Sequence, residues 1–312
     1  MADIPRIFIW CWPRTVSTAF GKCLSNVDGV QFWLEPYQNC FNNEIHKNAA
    51  AADAEDQLHP GYVQYMTKLR QTMATSNANE FFRDSKSYPQ DKFVYPWVKK
   101  KLEEDEPGKK FIIIKDLSMA IVNKVQYLPE VPVRHLFLIR HPLRIAKSME
   151  VAFLSSAKYL GLPVENLDFN VARNTPFMRQ GHFKRDDSHA FWRYLQEKHE
   201  ANPTIIDSDD LCREPERMLP KIFKAMGIPY DEKYLTWDAG EEIVKSWKGS
   251  VGGMVTRRAT KFYERAFQSS CFMPPKPEMP SLDDIPELLR ENHEVLLKCY
   301  QEMYEHRIHP NS

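Results

Sequence analysis

Short apolar runs punctuate the chain and alternate with longer segments of helical character. The runs cover residues 7–12, 30–34, 111–114, 136–139 and 204–206, and most are rich in Ile, Val, Phe or Leu. A strand that is apolar on both faces is buried on both faces. Most of these runs are followed by turn or capping residues and then by a helix-like segment. The order predicts an α/β protein, three-layer α/β/α, with a central parallel sheet covered by helices on both sides. Ligands of such sheets bind outside the carboxyl ends of the strands, so the residues just after each run are the first candidates for chemistry.

Two stretches depart from the alternation. Residues 38–95 are polar and Ala-rich, then aromatic, and residues 160–187 carry "NTPFMRQGHFKRDD". Both are expected to be helical or loop excursions that cover a cleft. Near the C-terminus a Pro-rich stretch, "CFMPPKPEMPS", precedes a helical spacing at about 282–306, for which Ser281 is the expected cap. The 312 residues show no internal repeat and are read as a single domain, 1–312.

Charge changes this picture little. Lys+Arg and Asp+Glu are both 42, so nothing in the bulk balance points to nucleic acid or to an anionic membrane surface. No apolar segment approaches the ~20 residues needed to cross a bilayer, and the first residues lack the pattern of a secretory signal. The six cysteines have no CxxC spacing and read as free thiols of a reducing compartment, so a cytoplasmic location is expected. The histidines show no metal-ligand spacing, and no metal is expected. An anionic small ligand therefore needs a local cluster of basic groups.

Two segments supply one. In "FIWCWPRTVSTAFGKCL", residues 8–24, an apolar run passes through a Pro-Arg step and a hydroxyl cluster into a helix expected to begin near Ser17. Free N–H groups and the dipole at a helix start favour an anion. Thr15, Ser17 and Thr18 add hydroxyls, and Arg14 adds a planar fork suited to phosphate or sulfate. The Gly-Lys pair of a Walker A loop is missing, which argues against a Mg²⁺-triphosphate. An ordinary strand–helix turn capped by Ser or Thr is the plain alternative. In "HLFLIRHPLRIAKSMEVAF", Arg140 ends a run, Pro142 takes the first helical position, and Ser148 follows Arg140 by eight residues on the helix. Arg140 and Ser148 either converge on a second anion or serve separate structural contacts.

Taken together, "PRTVSTAF" and "RHPLRIAKS" resemble the two phosphate-binding elements of the sulfotransferase family, which uses 3′-phosphoadenosine 5′-phosphosulfate (PAPS). "NPTIIDSDDLCREPERMLPKIFKAMGIPYDEKYLTW" is similar to a third piece of that family, and the three stand in the family's order. The first loop most resembles the divergent "PRxxST" branch.

The resemblance implies a P-loop-like sulfotransferase architecture, with PAPS as co-substrate and no metal. It implies that Arg14, Thr15, Val16, Ser17 and Thr18 hold the phosphosulfate and that Arg140 and Ser148 hold the 3′-phosphate. Arg257 and Arg258 fall in the basic C-terminal loop that closes over the same phosphate. Catalysis would rest on Arg14 as charge stabiliser and on a base for the acceptor's proton. Many members carry K-x-H after the third strand. Here Lys115 is present, but Leu117 stands where the His would be.

Glu35, in "FWLEPYQ", is therefore the preferred base, with Asp116 and His46 behind it. The implied partner is a small-molecule acceptor with a hydroxyl or amine, with neither nucleic acid nor membrane expected. The excursions, together with Trp10, Trp12, Trp33, Tyr37 and Phe41, are candidates to line its pocket. Two rivals remain: a family member that binds nucleotide without turnover, and a P-loop kinase or NTPase.

Overall fold

A computed structural model describes residues 4–51, 60–75, 78–162, 186–198, 202–261 and 263–311. Five strands form one sheet: β1 (Arg6–Cys11), β2 (Val30–Leu34), β3 (Phe111–Leu117), β4 (Val133–Ile139) and β5 (Thr204–Asp207). All are parallel, in the order β2-β3-β1-β4-β5, and the α/β class with a parallel sheet is borne out. The helices used below are α1 (Ser17–Ser25), α2 (Pro36–Ala51), α3 (Pro60–Thr75), α4 (Tyr95–Glu103), α5 (Pro142–Tyr159), α6 (Asp187–Lys198), α7 (Ser208–Arg213), α8 (Pro215–Met226), α9 (Val251–Ala259) and α10 (His293–Glu305).

The period-two alternation of β1 feeds two cores. Ile7, Ile9 and Cys11 pack with Phe20 and Leu24 of α1 and Leu219 and Phe223 of α8. Phe8 and Trp10 face the other way, with Trp33, Tyr37, Phe137 and Phe191. Trp10 stacks on Phe8 with ring centroids 4.7 Å apart, and its indole N–H donates to His135 Nδ1 at 2.9 Å. Trp10, Trp33, Tyr37 and Phe41 are thus core residues, and Trp12 borders a cavity.

Strand order locates the ligand crevice. The chain leaves β1 toward β2 on one side and leaves β4 toward β5 on the other. The carboxyl ends of β1 and β4 therefore flank the point where the connections diverge, the usual place for a ligand in an open α/β sheet. Both basic segments follow these two strands.

The C-terminal region differs from expectation. The single helix at about 282–306 is divided into a turn at Leu282–Asp284, a short helix at Glu287–Arg290, and α10. Pro286 cannot donate to a helical ladder and holds Ile285 in an extended conformation, φ −104° and ψ 131°. Ser281 does cap, but only the short turn: its Oγ accepts the Asp283 N–H at 3.3 Å. The described part of the excursion at 38–95 folds into helices α2 and α3 and the approach to α4, whereas residues 163–185 of the second excursion lie outside the described residues. Among the described residues no helix is long and apolar enough to cross a membrane.

Two contacts fix the C-terminal part against the sheet. Lys248 adds a parallel bridge to the outer edge of β2, donating its N–H to Phe32 and accepting from Leu34, both at 2.8 Å. The Lys22 ammonium, on α1, donates to the carbonyls of Gly240, Phe267 and Ser269 at 3.1, 2.5 and 3.0 Å. Replacing Lys22 by Met keeps the length of the stem and leaves these carbonyls without their donor. Lys22→Met should lower stability by about 1–3 kcal/mol, the cost of stranding buried acceptors. Urea unfolding monitored by tryptophan fluorescence measures it, and an unchanged midpoint would contradict the role.

Candidate functional site

The turn after β1 is built without glycine yet uses glycine-like geometry. Arg14 has φ 71° and Val16 has φ 63°, both in the left-handed region that side chains avoid. Such conformations cost about 1–3 kcal/mol each and persist where the surroundings enforce them. Val16 takes the N-cap position of α1 and provides no side-chain cap. The Ser or Thr capping of the plain alternative is absent: Val16 holds the cap position, and Thr15 turns back, its Oγ1 donating to the Trp12 carbonyl at 2.9 Å. The leading N–H groups of α1 are left to face a ligand. Successive N–H groups in a turn of this kind form a concave anion nest.

The second basic segment closes on the first. Arg14 Nε donates to Ser148 Oγ at 3.1 Å. Arg140 Nη1 donates to the Arg14 carbonyl at 3.1 Å, and Arg140 Nε to Asp209 Oδ1 at 3.1 Å. Arg144 forms an ion pair with Asp209 Oδ2 at 2.6 Å. Ser208 Oγ lies 2.7 Å from both the Thr15 and Ile139 carbonyls. The ends of β1, β4 and β5 are therefore one network, with two guanidiniums, those of Arg140 and Arg144, on one carboxylate and the Arg14 guanidinium on Ser148. Burial lowers the Arg14 pKa, and the like charges of Arg140 and Arg265 add to it against an opposing pull from Tyr263. A positive surplus of this kind suits an anion.

A second cluster surrounds Glu35, just past β2. Its φ of 52° is left-handed and its side chain is buried. Oε1 pairs with Lys115 of β3 and Oε2 with Arg257 of α9, while the Tyr263 hydroxyl donates to Oε1 at 3.2 Å. Sheet register sets the first pair: Leu34 lies beside Lys115, and the Glu35 N–H donates to the Lys115 carbonyl at 2.7 Å. Burial alone would raise the Glu35 pKa. Arg257 and Lys115 overcome it and hold the carboxyl down at about 2. A Cβ on Gly253 would stand 2.5 Å from an Arg257 guanidinium nitrogen and 2.7 Å from Asn39 Oδ1, so only glycine leaves room for this pairing.

The other candidates sit apart. Asp116 accepts the N–H groups of Tyr37, Gln38 and Leu117 at 2.6, 3.1 and 2.8 Å and thereby caps α2 from the neighbouring strand. Burial pushes its carboxyl up to about 7 despite these bonds. His46 lies on α2. Arg258 pairs with Glu241 at 2.7 Å and lies over the Phe81 ring at 4.4 Å, while Arg257 faces Glu35. Ser17 and Thr18 open α1 and are buried.

Ser208, Asp209, Tyr263 and Gly253 were not among the residues expected at the site. The acidic turn "DSDD" after the last apolar run and the paired glycines ahead of Arg257 were the signals that pointed to them.

A family described as "Sulfotransferase domain" matches residues 191–301, so the resemblance read from the sequence is borne out over that part of the chain. No curated protein matches the sequence. Among solved structures the chain is similar to the sulfotransferase domain of the Synechococcus PCC 7002 olefin synthase, with 15% identity, 93% of this chain and 94% of that one covered, and a TM-score of 0.42. It is also similar to the sulfotransferase domain of the curacin biosynthetic pathway, with 14% identity, 95% and 98% covered, and a TM-score of 0.42. For mouse sulfotransferase SULT7A1 complexed with PAP the values are 13%, 98%, 91% and 0.43.

Removing the Glu35 charge leaves two buried cations facing each other. Glu35→Gln should cost about 3–5 kcal/mol at pH 7. Because the folded carboxyl titrates at about 2, below the ordinary value of 4.5, its contribution is complete above pH 4.5 and is lost as pH falls toward 2. Urea unfolding at pH 7 and pH 3 should show the gap between wild type and variant narrowing at the lower pH. A gap that stays constant would contradict the pairing.

Proposed function

We propose that this protein is a sulfotransferase that moves a sulfuryl group from PAPS to a hydroxyl or amine of a small molecule. The observation that carries this reading is the junction of the two basic segments in the β1/β4 crevice, where Arg140 Nη1 meets the Arg14 carbonyl and Arg14 Nε meets Ser148. The nest at Arg14–Thr18 fits a phosphosulfate. Arg140 uses two of its five N–H groups inside the protein and keeps the others for a second phosphate. Two linked anion sites suit a nucleotide that carries phosphates at both ends of its ribose. The family match at residues 191–301 supports the same class.

Sulfuryl transfer, like phosphoryl transfer, depends on positioning and on stabilising charge at the leaving oxygen. Arg14 stabilises the charge that develops on the leaving phosphate without giving up a proton, since a guanidinium stays protonated. The hydroxyls of Ser17 and Thr18 and the N–H groups of α1 share that load. Glu35 is the proposed base. It becomes basic only when one of its two cations turns elsewhere, and Arg257, assigned by resemblance to the 3′-phosphate, is the one on a separate element. The double pairing of Glu35 also favours a second reading, a chain that binds the nucleotide and does not turn it over.

Calorimetry with desulfated PAPS (PAP) tests binding. Wild type should bind it equally well with and without EDTA. Arg14→Ala and Arg140→Ala should each weaken binding by about 10–100-fold, as expected for lost hydrogen bonds to a charged group. Transfer from labelled PAPS to an acceptor library separates the two readings. Absence of PAP binding by wild type overturns both.

A further inference from the structure

Glu35 cannot take up a proton and keep both of its cations. A proton arriving on Oε2 turns that oxygen into a donor, and the Arg257 guanidinium, which has donors only, must then leave it. Lys115 and the Tyr263 hydroxyl share Oε1, and Lys115 is held in β3. Arg257 stands on α9 and is the cation that turns away. A guanidinium released inside the protein is costly unless another acceptor meets it.

An acceptor of this kind lies beside it. Asn39, on α2, is only 1% exposed, and its Oδ1 has no hydrogen-bond partner among the described residues. Its Nδ2 donates to the Glu35 carbonyl at 2.7 Å, which fixes the amide. A Cβ on Gly253 would meet Asn39 Oδ1 at 2.7 Å and Arg257 Nη1 at 2.5 Å. The free oxygen and the guanidinium nitrogen therefore border the same gap, over the bare Cα of Gly253. Other donors nearby are engaged. Gln90 Nε2 bonds Asn43 Oδ1 at 2.7 Å and the Asn39 carbonyl at 3.3 Å, and the Gly253 N–H bonds Ser250 Oγ at 3.1 Å. The Ser250 hydroxyl donates to Gln90 Oε1. A buried amide oxygen without a donor is a cost that native structures seldom carry without a use.

We infer that Asn39 is a positioning residue: its free amide oxygen is the second acceptor of the Arg257 guanidinium, taken up when Glu35 loses its charge. The use of this swing rests on the proposed sulfotransferase reading. There the acceptor's O–H or N–H proton passes to Glu35 Oε2 as its oxygen or nitrogen bonds to sulfur. The bond between sulfur and the phosphate oxygen breaks, and its electron pair leaves with PAP. Arg257 passes from Oε2 to Asn39 Oδ1, and the pairing that holds Glu35 at about 2 is undone only as the proton arrives.

Two crystal structures of the full chain test the swing without any reaction. Glu35→Gln mimics the neutral carboxyl, because an amide offers one acceptor oxygen to two cations. It should show Arg257 Nη1 within hydrogen-bonding distance of Asn39 Oδ1. A guanidinium that stays on residue 35 or turns to solvent overturns the inference. Asn39→Asp keeps Glu35 and serves should the first variant fail to fold. Its introduced carboxylate should take Arg257 Nη1, and a guanidinium that remains with Glu35 alone overturns the inference equally.

Transfer from labelled PAPS tests the use. Asn39→Leu should lower kcat by about tenfold or more, the loss expected for a hydrogen bond to a charged group, with PAP affinity unchanged by calorimetry. Asn39→Asp, which restores an oxygen but not the N–H to the Glu35 carbonyl, should recover most of that rate. If it is no faster than Asn39→Leu, the amide acts only through its N–H and the inference fails. Absence of transfer by wild type removes the sulfotransferase reading alone, and the two structures then decide the swing.

Discussion

The Arg140 guanidinium lies between the Arg14 carbonyl and the Asp209 carboxylate, and through them it ties the carboxyl ends of β1, β4 and β5 together. Everything proposed for the anion site depends on this tie. It holds the turn after β1 in a conformation that Arg14 and Val16 would not adopt alone, and it places Arg14 Nε against Ser148 of α5. Ser208 reinforces it, with its hydroxyl 2.7 Å from the Thr15 carbonyl and 2.7 Å from that of Ile139. Asp209 balances only one of the two guanidinium charges that meet it, those of Arg140 and Arg144. The strain stored in the turn and the excess positive charge therefore have one structural origin, and an anion relieves the second without disturbing the first.

Glu35 and Asp116 show how neighbouring strands assign opposite properties to two buried carboxyls. Both are close to the edge of the sheet. Glu35 meets two cations and is held at about 2, whereas Asp116 meets only backbone N–H groups and is pushed up to about 7. The first is a charged anchor for Arg257 and Lys115, the second a cap for α2. Position at the end of a strand does not by itself make a carboxylate a base. What its oxygens already hold decides that.

Much of the fold was legible in the sequence because burial on both faces leaves a plain mark. The run at residues 30–34 coincides with β2, those at 111–114, 136–139 and 204–206 fall inside strands that extend further, and that at 7–12 is shifted by one residue from β1. β3 continues through Lys115 and Asp116 because both are satisfied in place, a circumstance that an apolar run cannot announce. The two basic segments were also readable, since Arg140, Pro142 and Ser148 hold their positions through local helix geometry.

Long-range pairing was not readable. Arg257 reaches Glu35 across 222 positions of sequence, and its route depends on the bridge of Lys248 to β2 and on the space left by Gly253. The acidic turn at 207–210 offered three carboxylates; the capping of α7 by Asp207 leaves Asp209 to meet Arg140. Near the C-terminus, helical spacing concealed the interruption at Pro286.

The central claim is that the loops after β1 and β4 form one site for a nucleotide with two separated anionic groups. A crystal structure of the complex with PAP tests it most directly. The account predicts the 5′-phosphate on the N–H groups at the start of α1, beside Arg14, with the 3′-phosphate within hydrogen-bonding distance of Arg140. Density for the nucleotide anywhere other than the β1/β4 crevice, or with neither phosphate touching Arg14 or Arg140, would contradict it.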